Sequence, residues 1–348
     1  MRGAKILVTG GAGYIGSHTA VEFLERGYEV VLIDDLSNSE ESVLDGIEAI
    51  TGKRPDLAVF DLCDEAKLQL FCRQHADIAA VVHFAASKAV GESVERPLHY
   101  YRNNLLGLIH LLEVLALTEA RGVVFSSSCT VYGQPAELPV TEDAPIQPAW
   151  SPYGNTKQIG EEILADALRA GVLPAAIALR YFNPIGAHES ARIGELPRGV
   201  PNNLVPFLTQ TAAGLREKVR IFGEDYDTPD GTCIRDYLHV VDLARAHVVA
   251  AERLLAGENA DPLEFFNLGT GRGSSVREVV DAFQQVNALS LPVEQAPRRP
   301  GDVAAVYADT SRANEVLGWR TERDLGAMLR SAWAWEQELA ARRGKAGG

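Results

Sequence analysis

The sequence predicts an α/β fold built on a doubly wound parallel sheet, and three observations carry that prediction. Strand-like and helix-like segments alternate over the first two-thirds of the chain. A glycine-rich turn joins the first strand to the first helix, and an acidic pair closes the second strand. At 348 residues, the chain is long enough for about two domains of roughly 150 residues each.

Residues 5–9 (KILVT) are a short apolar run, read as a buried strand. Residues 15–26 carry apolar side chains at helical spacing, and 28–33 read as the second strand. Further strands are predicted over 79–84, 122–126 and 175–180. Between them lie a leucine-striped helix over 99–118 and a long helix over 153–170. Beyond about residue 180 the pattern loosens. Residues 183–203 are rich in Gly, Pro and Asn and read as loop. Helices follow over 204–215, 240–255, 275–287 and 325–342, while 265–269 (FFNLG) is expected to return to the sheet. The chain therefore divides into a domain over 1–180, rejoined by segments around 236–270, and a smaller α/β lobe over 181–348.

Composition excludes several functions. With 47 acidic against 33 basic residues the formal charge is −14, so no general attraction for nucleic acid or anionic lipid is expected. No apolar run approaches the ~20 residues of a membrane span, and residues 5–9 are too short for a secretory signal. The four cysteines form no Cys-x-x-Cys pair, which argues against structural zinc and a disulfide framework. No metal is expected, and a reducing cytoplasm is the simplest location. Only seven lysines stand against 26 arginines, so a lysine inside a motif is informative.

The turn TGGAGYIG places Gly10, Gly13 and Gly16 three apart, and Gly11, Gly13 and Gly16 also match G-x-G-x-x-G. Glycines permit the tight turn and let a pyrophosphate approach the backbone, with a helix N-terminus facing it. Flexible loops produce such patterns by chance; here a strand precedes the turn and a helix follows it. Asp34 and Asp35 come 18 residues after Gly16. A carboxylate there accepts hydrogen bonds from the adenosine ribose and repels a 2′-phosphate, so NAD is expected rather than NADP.

Ser126-Ser127-Ser128 closes the strand at 122–126, and Ser-Pro-Tyr153-Gly-Asn-Thr-Lys157 opens a helix. Tyr153 and Lys157 are four apart and share a helix face. A phenol near pKa ~10 is a poor base at neutral pH. An adjacent ammonium is expected to lower it. Lys157 is suited to that and to holding the nicotinamide ribose, and Ser128 to hydrogen-bonding the reacting hydroxyl. The trio suits proton removal from an alcohol as hydride leaves its carbon.

Together with TGGAGYIGSH, the ordered stretches HFAASKAVGES, YYRNN, FSSSCTVYG, SPYGNTK, RYFNPIGAH, PNNLVP, IFGEDY, IRDYLHVVDLA, NLGTG and RRPGD make the chain similar to the extended short-chain dehydrogenase/reductase family. Within that family it most closely resembles the UDP-hexose 4-epimerases, from Thr9 to about Trp335. The resemblance implies an NAD-binding Rossmann-type domain and a UDP-sugar lobe. It implies cofactor contacts from Gly10, Gly13, Tyr14, Ile15 and Gly16, then Asp34, Asp35, Leu36, Ser37, Asn38 and Ser39, then Asp61 and Leu62. These continue with Phe84, Ala85, Ala86, Ser87 and Lys88, then Asn103, Ser128, Tyr153, Lys157 and Phe182. It implies substrate contacts from Lys88, Ser128, Tyr153, Asn183, Asn203, Leu204, Arg220, Phe222, Arg235, Arg299, Asp302 and Val306. Arg235 and Arg299 would grip the diphosphate, Phe222 would pack on the uracil, and Asp302 would accept from the uridine ribose. Taken alone, Arg235 has Asp236 and Asp242 as alternative partners, and Phe222 has ordinary core packing.

The implied reaction interconverts UDP-galactose and UDP-glucose. Tyr153 takes the C4 hydroxyl proton and hydride passes to NAD, giving a 4-keto sugar. That sugar turns in the pocket and takes hydride back on its other face. Asp35, Cys129 and Asn155 depart from the usual family pattern without removing a catalytic group. Val306 stands where some relatives carry a large Tyr, and its smaller side chain leaves room for an acetamido group, so UDP-N-acetylglucosamine is a second expected substrate. Related 4,6-dehydratases place Asp-Glu after the catalytic Ser or Thr, where this chain has Cys129-Thr130. A decarboxylase or a pentose 4-epimerase stays open, whereas a non-catalytic NAD sensor would have no use for all three catalytic groups. The resemblance further implies a homodimer formed by the helices over 99–118 and 153–170, although their apolar faces equally suit packing on the sheet.

Overall fold

β1 (Lys5–Thr9) lies inside a seven-stranded parallel sheet in a computed structural model that describes residues 3–299 and 302–346. Met1, Arg2, Gly347, Gly348 and the Pro300-Gly301 pair of the RRPGD stretch lie outside the described residues. The remaining strands are β2 (Glu29–Asp34), β3 (Asp56–Val59), β4 (Ile78–His83), β5 (Val123–Ser128), β6 (Ala176–Tyr181), β7 (Asn183–Ile185), β8 (Val219–Phe222), β9 (Ile234–His239), β10 (Leu263–Leu268), β11 (Gly273–Ser275), β12 (Val293–Ala296) and β13 (Ala305–Val306). The helices are α1 (Tyr14–Glu25), α2 (Val43–Thr51), α3 (Glu65–Gln74), α4 (Val90–Glu95), α5 (Pro97–Tyr101), α6 (Gly107–Val114), α7 (Pro152–Arg169), α8 (Leu204–Ala212), α9 (Val240–Ala256), α10 (Val276–Val286) and α11 (Leu325–Ala346).

The sheet order is β3-β2-β1-β4-β5-β6-β10, so residues 263–268 do return to it, beside β6. Its strands are apolar on both sides because each face is covered. Ile6, Val8, Leu32, Val82 and Val124 pack with side chains of α1, α2 and α9 in one core. Leu7, Val31, Val81, Val123 and Phe125 pack with α3, α6 and α7 in the other. Chain order reverses between β1 and β4. In doubly wound sheets the crevice opens at such a point, beyond the carboxyl ends of the strands. The glycine turn after β1 and residues 84–88 after β4 therefore face each other.

The second lobe has its own core, in which Val205, Leu208, Ile221, Tyr237, Val279, Phe283, Met328 and Leu329 are buried. β9 pairs with β7, β11 and β13, and β8 with β12. Pairing of β13 with β9 sets Val306 opposite Arg235.

Three differences from the sequence expectation have physical causes. β3 is an edge strand with no fully buried residue, so it lacks the apolar signature that marks the inner strands. The helix expected over 99–118 is broken: α5 leads into a π-turn at Arg102–Leu106, then α6 and a 3-10 turn at Leu115–Leu117. A π-turn inserts an extra residue that helical periodicity does not register. Within the expected loop over 183–203, β7 adds to β9 through a register starting at Asn183↔Tyr237.

Candidate functional site

The glycine turn is a cradle that side chains would fill. Gly10 has φ +68°, and a Cβ there would lie 2.8 Å from the Ala85 nitrogen. A Cβ on Gly16 would lie 2.2 Å from the Gly10 carbonyl oxygen. Gly13 is the N-cap of α1, so no side chain caps the helix start, and its first turn, which includes Tyr14 and Ile15, has no acidic residue. An uncapped positive helix end approached by bare backbone fits a pyrophosphate. These residues therefore suit a dinucleotide.

Asp34, expected as the ribose acceptor, is buried and already accepts from the chain. Its Oδ2 takes the Ala12 N–H at 3.0 Å, and its Oδ1 takes the Leu36 N–H at 2.9 Å and the Ser39 hydroxyl at 2.7 Å. It thus joins the glycine turn to residues 36–39. Asp35 is exposed and accepts from the Ser37 N–H and hydroxyl. Asn38 is exposed within the same loop.

Phe84, Ala85, Ala86, Ser87 and Lys88 leave the end of β4 beside this turn. Asn104, delivered by the π-turn, holds that loop. It accepts from the Ser87 N–H at 2.8 Å and donates to the Ser87 carbonyl and to the Thr156 hydroxyl of α7, both at 3.0 Å. Asn103 donates to the Ser87 hydroxyl at 3.3 Å. Asp61 accepts from the Cys63 N–H at 2.8 Å, and Leu62 is buried below α6. The Lys88 ammonium sits 5.9 Å from the Tyr14 ring centre and 3.4 Å from Glu195, which also accepts from Asn203 at 3.2 Å. The Tyr14 hydroxyl donates to the Gly186 carbonyl at 2.6 Å.

Ser128 ends β5, and Tyr153 and Lys157 lie one turn apart at the start of α7, whose N-cap Ser151 accepts from the Gly154 N–H. Lys157 is buried and donates to the Ser126 carbonyl at 2.6 Å; its Nζ stands 5.9 Å from the Tyr153 ring centre. Burial pushes its ammonium down to about 8, opposed by Glu161. The expected lowering of the Tyr153 phenol is corrected here. Burial, with Tyr181 and Cys129 nearby, drives it upward, and hydrogen bonding from Ser128 only partly opposes that. The physical reason is that burial strips a phenolate of its water, which outweighs the Ser128 hydrogen bond.

On the opposite side of the crevice, Arg235 and Arg299 converge on Asp302. Arg235 Nη2 is 3.6 Å from its carboxylate, and Arg299 Nε donates to it at 3.1 Å. Arg235 Nη1 also donates to the Ile234 and Val303 carbonyls, both at 2.8 Å. Arg299 lies 4.8 Å from the Phe222 ring centre. Asp236 and Asp242 are engaged elsewhere: Asp236 accepts from Thr270, Gly271 and Ala308, and Asp242 from Arg323. Arg220 shares the Phe222 face of β8 but is exposed and pairs with Glu294 at 3.2 Å. Asn183 opens β7, Asn203 immediately precedes α8 without capping it through its side chain, and Leu204 begins the helix. Phe182 and Val306 are buried together with Val131 and Tyr132, with Cys129 packed against them.

Besides Asn104, four polar groups here escaped the sequence reading. Tyr181 shares a 2.6 Å hydrogen bond with Ser126. Arg180 makes a bidentate pair with Glu161 at 2.7 and 2.9 Å, and Ser127 donates to Glu161 at 2.5 Å. Glu195 bridges Lys88 and Asn203. Only Glu161 had a legible signal, because it continues the Tyr153, Lys157 spacing by another four residues. No group of metal-ligating side chains occurs among the described residues.

The profile described as GDP-mannose 4,6 dehydratase matches residues 7–332. A UDP-glucose 4-epimerase of Bacillus subtilis (strain 168) is 50% identical over 332 residues, covering 95% of this chain and 96% of the relative. The crystal structure of UDP-glucose-4-epimerase from Stenotrophomonas maltophila, with bound NAD and formylated UDP-arabinopyranose, superposes with a TM-score of 0.93 at 45% identity. It covers 97% of this chain and 99% of that one. The UDP-Glc/GlcNAc 4-epimerase of Campylobacter jejuni is similar at a TM-score of 0.82 and 37% identity, covering 97% of this chain and 100% of that one.

Proposed function

This chain belongs to the UDP-glucose 4-epimerase family, and on that premise we propose that it interconverts UDP-galactose and UDP-glucose, with NAD retained through turnover. It is an isomerase of the extended short-chain dehydrogenase/reductase type. The observation that carries this reading is the meeting of Ser128, Tyr153 and Lys157 beside an uncapped glycine cradle. The neighbouring Cys129-Thr130 offer none of the acids a dehydration would need. Tyr153 accepts the proton of the C4 hydroxyl and returns it, while Ser128 hydrogen-bonds the same oxygen. Lys157, held by the Ser126 carbonyl, keeps a positive charge near the phenol. When bound, NAD supplies the acceptor and later the donor of hydride at C4. Arg235, Arg299, Asp302 and Phe222 hold the UDP and leave the hexose free to turn; Arg220, outside that cluster, reaches a substrate only by leaving Glu294. Incubation with UDP-galactose should yield UDP-glucose by anomeric-proton NMR; a 4-keto-6-deoxy product would overturn the assignment.

The lobes divide this work: residues 1–180 with α9 and β10 from the expected 236–270 return hold NAD, while β9 at the start of that return pairs within the other lobe, which mainly holds the UDP-sugar. The separate cores of the sheet and of the α8–α10–α11 lobe support that division.

UDP-N-acetylglucosamine is a second substrate in this proposal, supported by the small Val306 packed with Phe182 and next to Cys129. Val306→Tyr should cut turnover of that sugar by about 10–100-fold relative to UDP-galactose, the scale of steric exclusion in a pocket. Unchanged ratios of kcat/KM for the two sugars would remove the assignment.

The enzyme works as a cytoplasmic homodimer. Supporting this, Val90, Val94 and Leu98 present apolar side chains to solvent on α4–α5, with Leu98 81% exposed, and Trp150, two residues before α7, is exposed as well. No helix among the described residues is long and apolar enough to cross a membrane. Light scattering at micromolar concentration should give twice the mass of one chain, and Leu98→Glu should shift it toward one; a wild-type mass of a single chain contradicts the dimer.

A further inference from the structure

The loop over residues 36–39, which follows β2 and carries expected contacts to the adenosine end of NAD, is held from two sides. From inside, Asp34 accepts from Leu36 and Ser39. From outside, the Arg198 guanidinium donates to three of the loop's carbonyls: Ser37 at 2.6 Å, Ser39 at 2.7 Å and Leu36 at 3.1 Å. Leu36 sits in the left-handed region at φ +57°, a conformation a branched residue keeps only where its surroundings impose it.

Arg198 comes from the other half of the site. It lies in the connection between β7 and α8, five residues before Asn203 and six before Leu204. That connection is anchored upstream by Ile193, buried in the core with Val43, Leu44 and Ile47. It is also anchored where the Trp335 indole donates to the Glu195 carbonyl at 2.8 Å. Between Glu195 and α8, Arg198 is the residue that reaches across to the cofactor loop. One end of this short segment thus closes on NAD-binding backbone, and the other enters the UDP-sugar subsite. A planar guanidinium can satisfy three carbonyls at once, which an ammonium on a flexible stem does far less well.

We propose that Arg198 is a strap that couples NAD retention to occupancy of the UDP-sugar subsite. It is a positioning residue, acting through the 36–39 backbone and not on the reacting atoms, and the proposal rests on the NAD reading above. When UDP engages Asn203 and Leu204, the segment bearing Arg198 is ordered, the 36–39 loop is held closed, and NAD leaves more slowly. This serves an enzyme whose hydride must be returned by the same cofactor that received it.

The test loads purified protein with radiolabelled NAD⁺ and chases with unlabelled NAD⁺, with and without saturating UDP. Arg198→Ala should release label about tenfold faster than wild type, the scale of losing charge-assisted hydrogen bonds. It should also lose most of the slowing by UDP that wild type shows. The apparent KM for added NAD⁺ should rise by a similar factor, with kcat at saturating NAD⁺ falling less than twofold, and the unfolding midpoint of the NAD-stripped protein should match wild type. Arg198→Lys should behave like Arg198→Ala; wild-type behaviour would show that charge alone suffices and would overturn the strap. Release rates within twofold of wild type in both conditions overturn it too, as does faster release with the UDP effect intact. Wild type that binds no NAD at all is a different result, since it removes the cofactor reading itself.

Discussion

Tyr153→Phe should lower turnover of UDP-galactose by about 10²–10⁴-fold, the range a positioned acid–base group contributes, while the protein still carries NAD. The phenyl ring keeps the packing at the start of α7 and removes only the proton carrier. The measurement is steady-state turnover, with NAD released by denaturation and quantified. Activity within threefold of wild type would refute the role. The structure adds a second readout. Burial pushes the Tyr153 phenol above its ordinary value, and the Ser128 hydrogen bond only partly opposes this. An oxidised nicotinamide carries a positive charge, and such a charge beside the phenol favours the phenolate. Ultraviolet difference titration should show a phenolate at lower pH in NAD-loaded than in NAD-stripped enzyme, and Tyr153→Phe should abolish that difference.

Glu161→Ala should destabilise the protein by about 3–5 kcal/mol, the cost of removing one partner from a buried ion pair. Arg180 is 4% exposed and Glu161 7% exposed. Their bidentate contact is extended by Ser127 on Glu161 and by Tyr132, which accepts from Arg180 at 3.0 Å. Without Glu161, the guanidinium stays buried beside Tyr132 and Phe265 with no carboxylate. Urea unfolding followed by far-ultraviolet dichroism measures the loss, and the double change Glu161→Leu with Arg180→Met should recover most of it. A single variant as stable as wild type would show that the pair contributes nothing. Because Glu161 is also the influence that supports the Lys157 ammonium, the refolded single variant should need a lower pH for the same fraction of charged lysine.

Much of the proposed site is legible in the sequence because its signals are local. The glycine spacing dictates a turn that only bare backbone can make. Tyr153 and Lys157 are placed by helical geometry within one turn, and Ser128 by its position at a strand end. The acidic balance was legible too, with a sharper meaning now. The chain's net charge is −14, yet Arg235 and Arg299 are drawn onto the single carboxylate of Asp302, and Lys88 stands near Tyr14 and Glu195.

What the sequence by itself determined is the strand–helix alternation, the dinucleotide turn and the choice of Ser128, Tyr153 and Lys157 as the groups proposed to react, since each depends on residues within about one turn or one strand of each other. Only the tertiary structure decided which distant groups meet. Arg180 finds Glu161, Asn104 clasps Ser87 through an unforeseen π-turn, Asp34 is occupied by its own loop, and Arg198 reaches across 159 to 162 positions to Leu36, Ser37 and Ser39. It also reversed the expected shift of Tyr153. The reason is common to all of these: hydrogen-bond partnership and desolvation depend on what the folded chain packs around a group, and neither is written in the spacing of its neighbours.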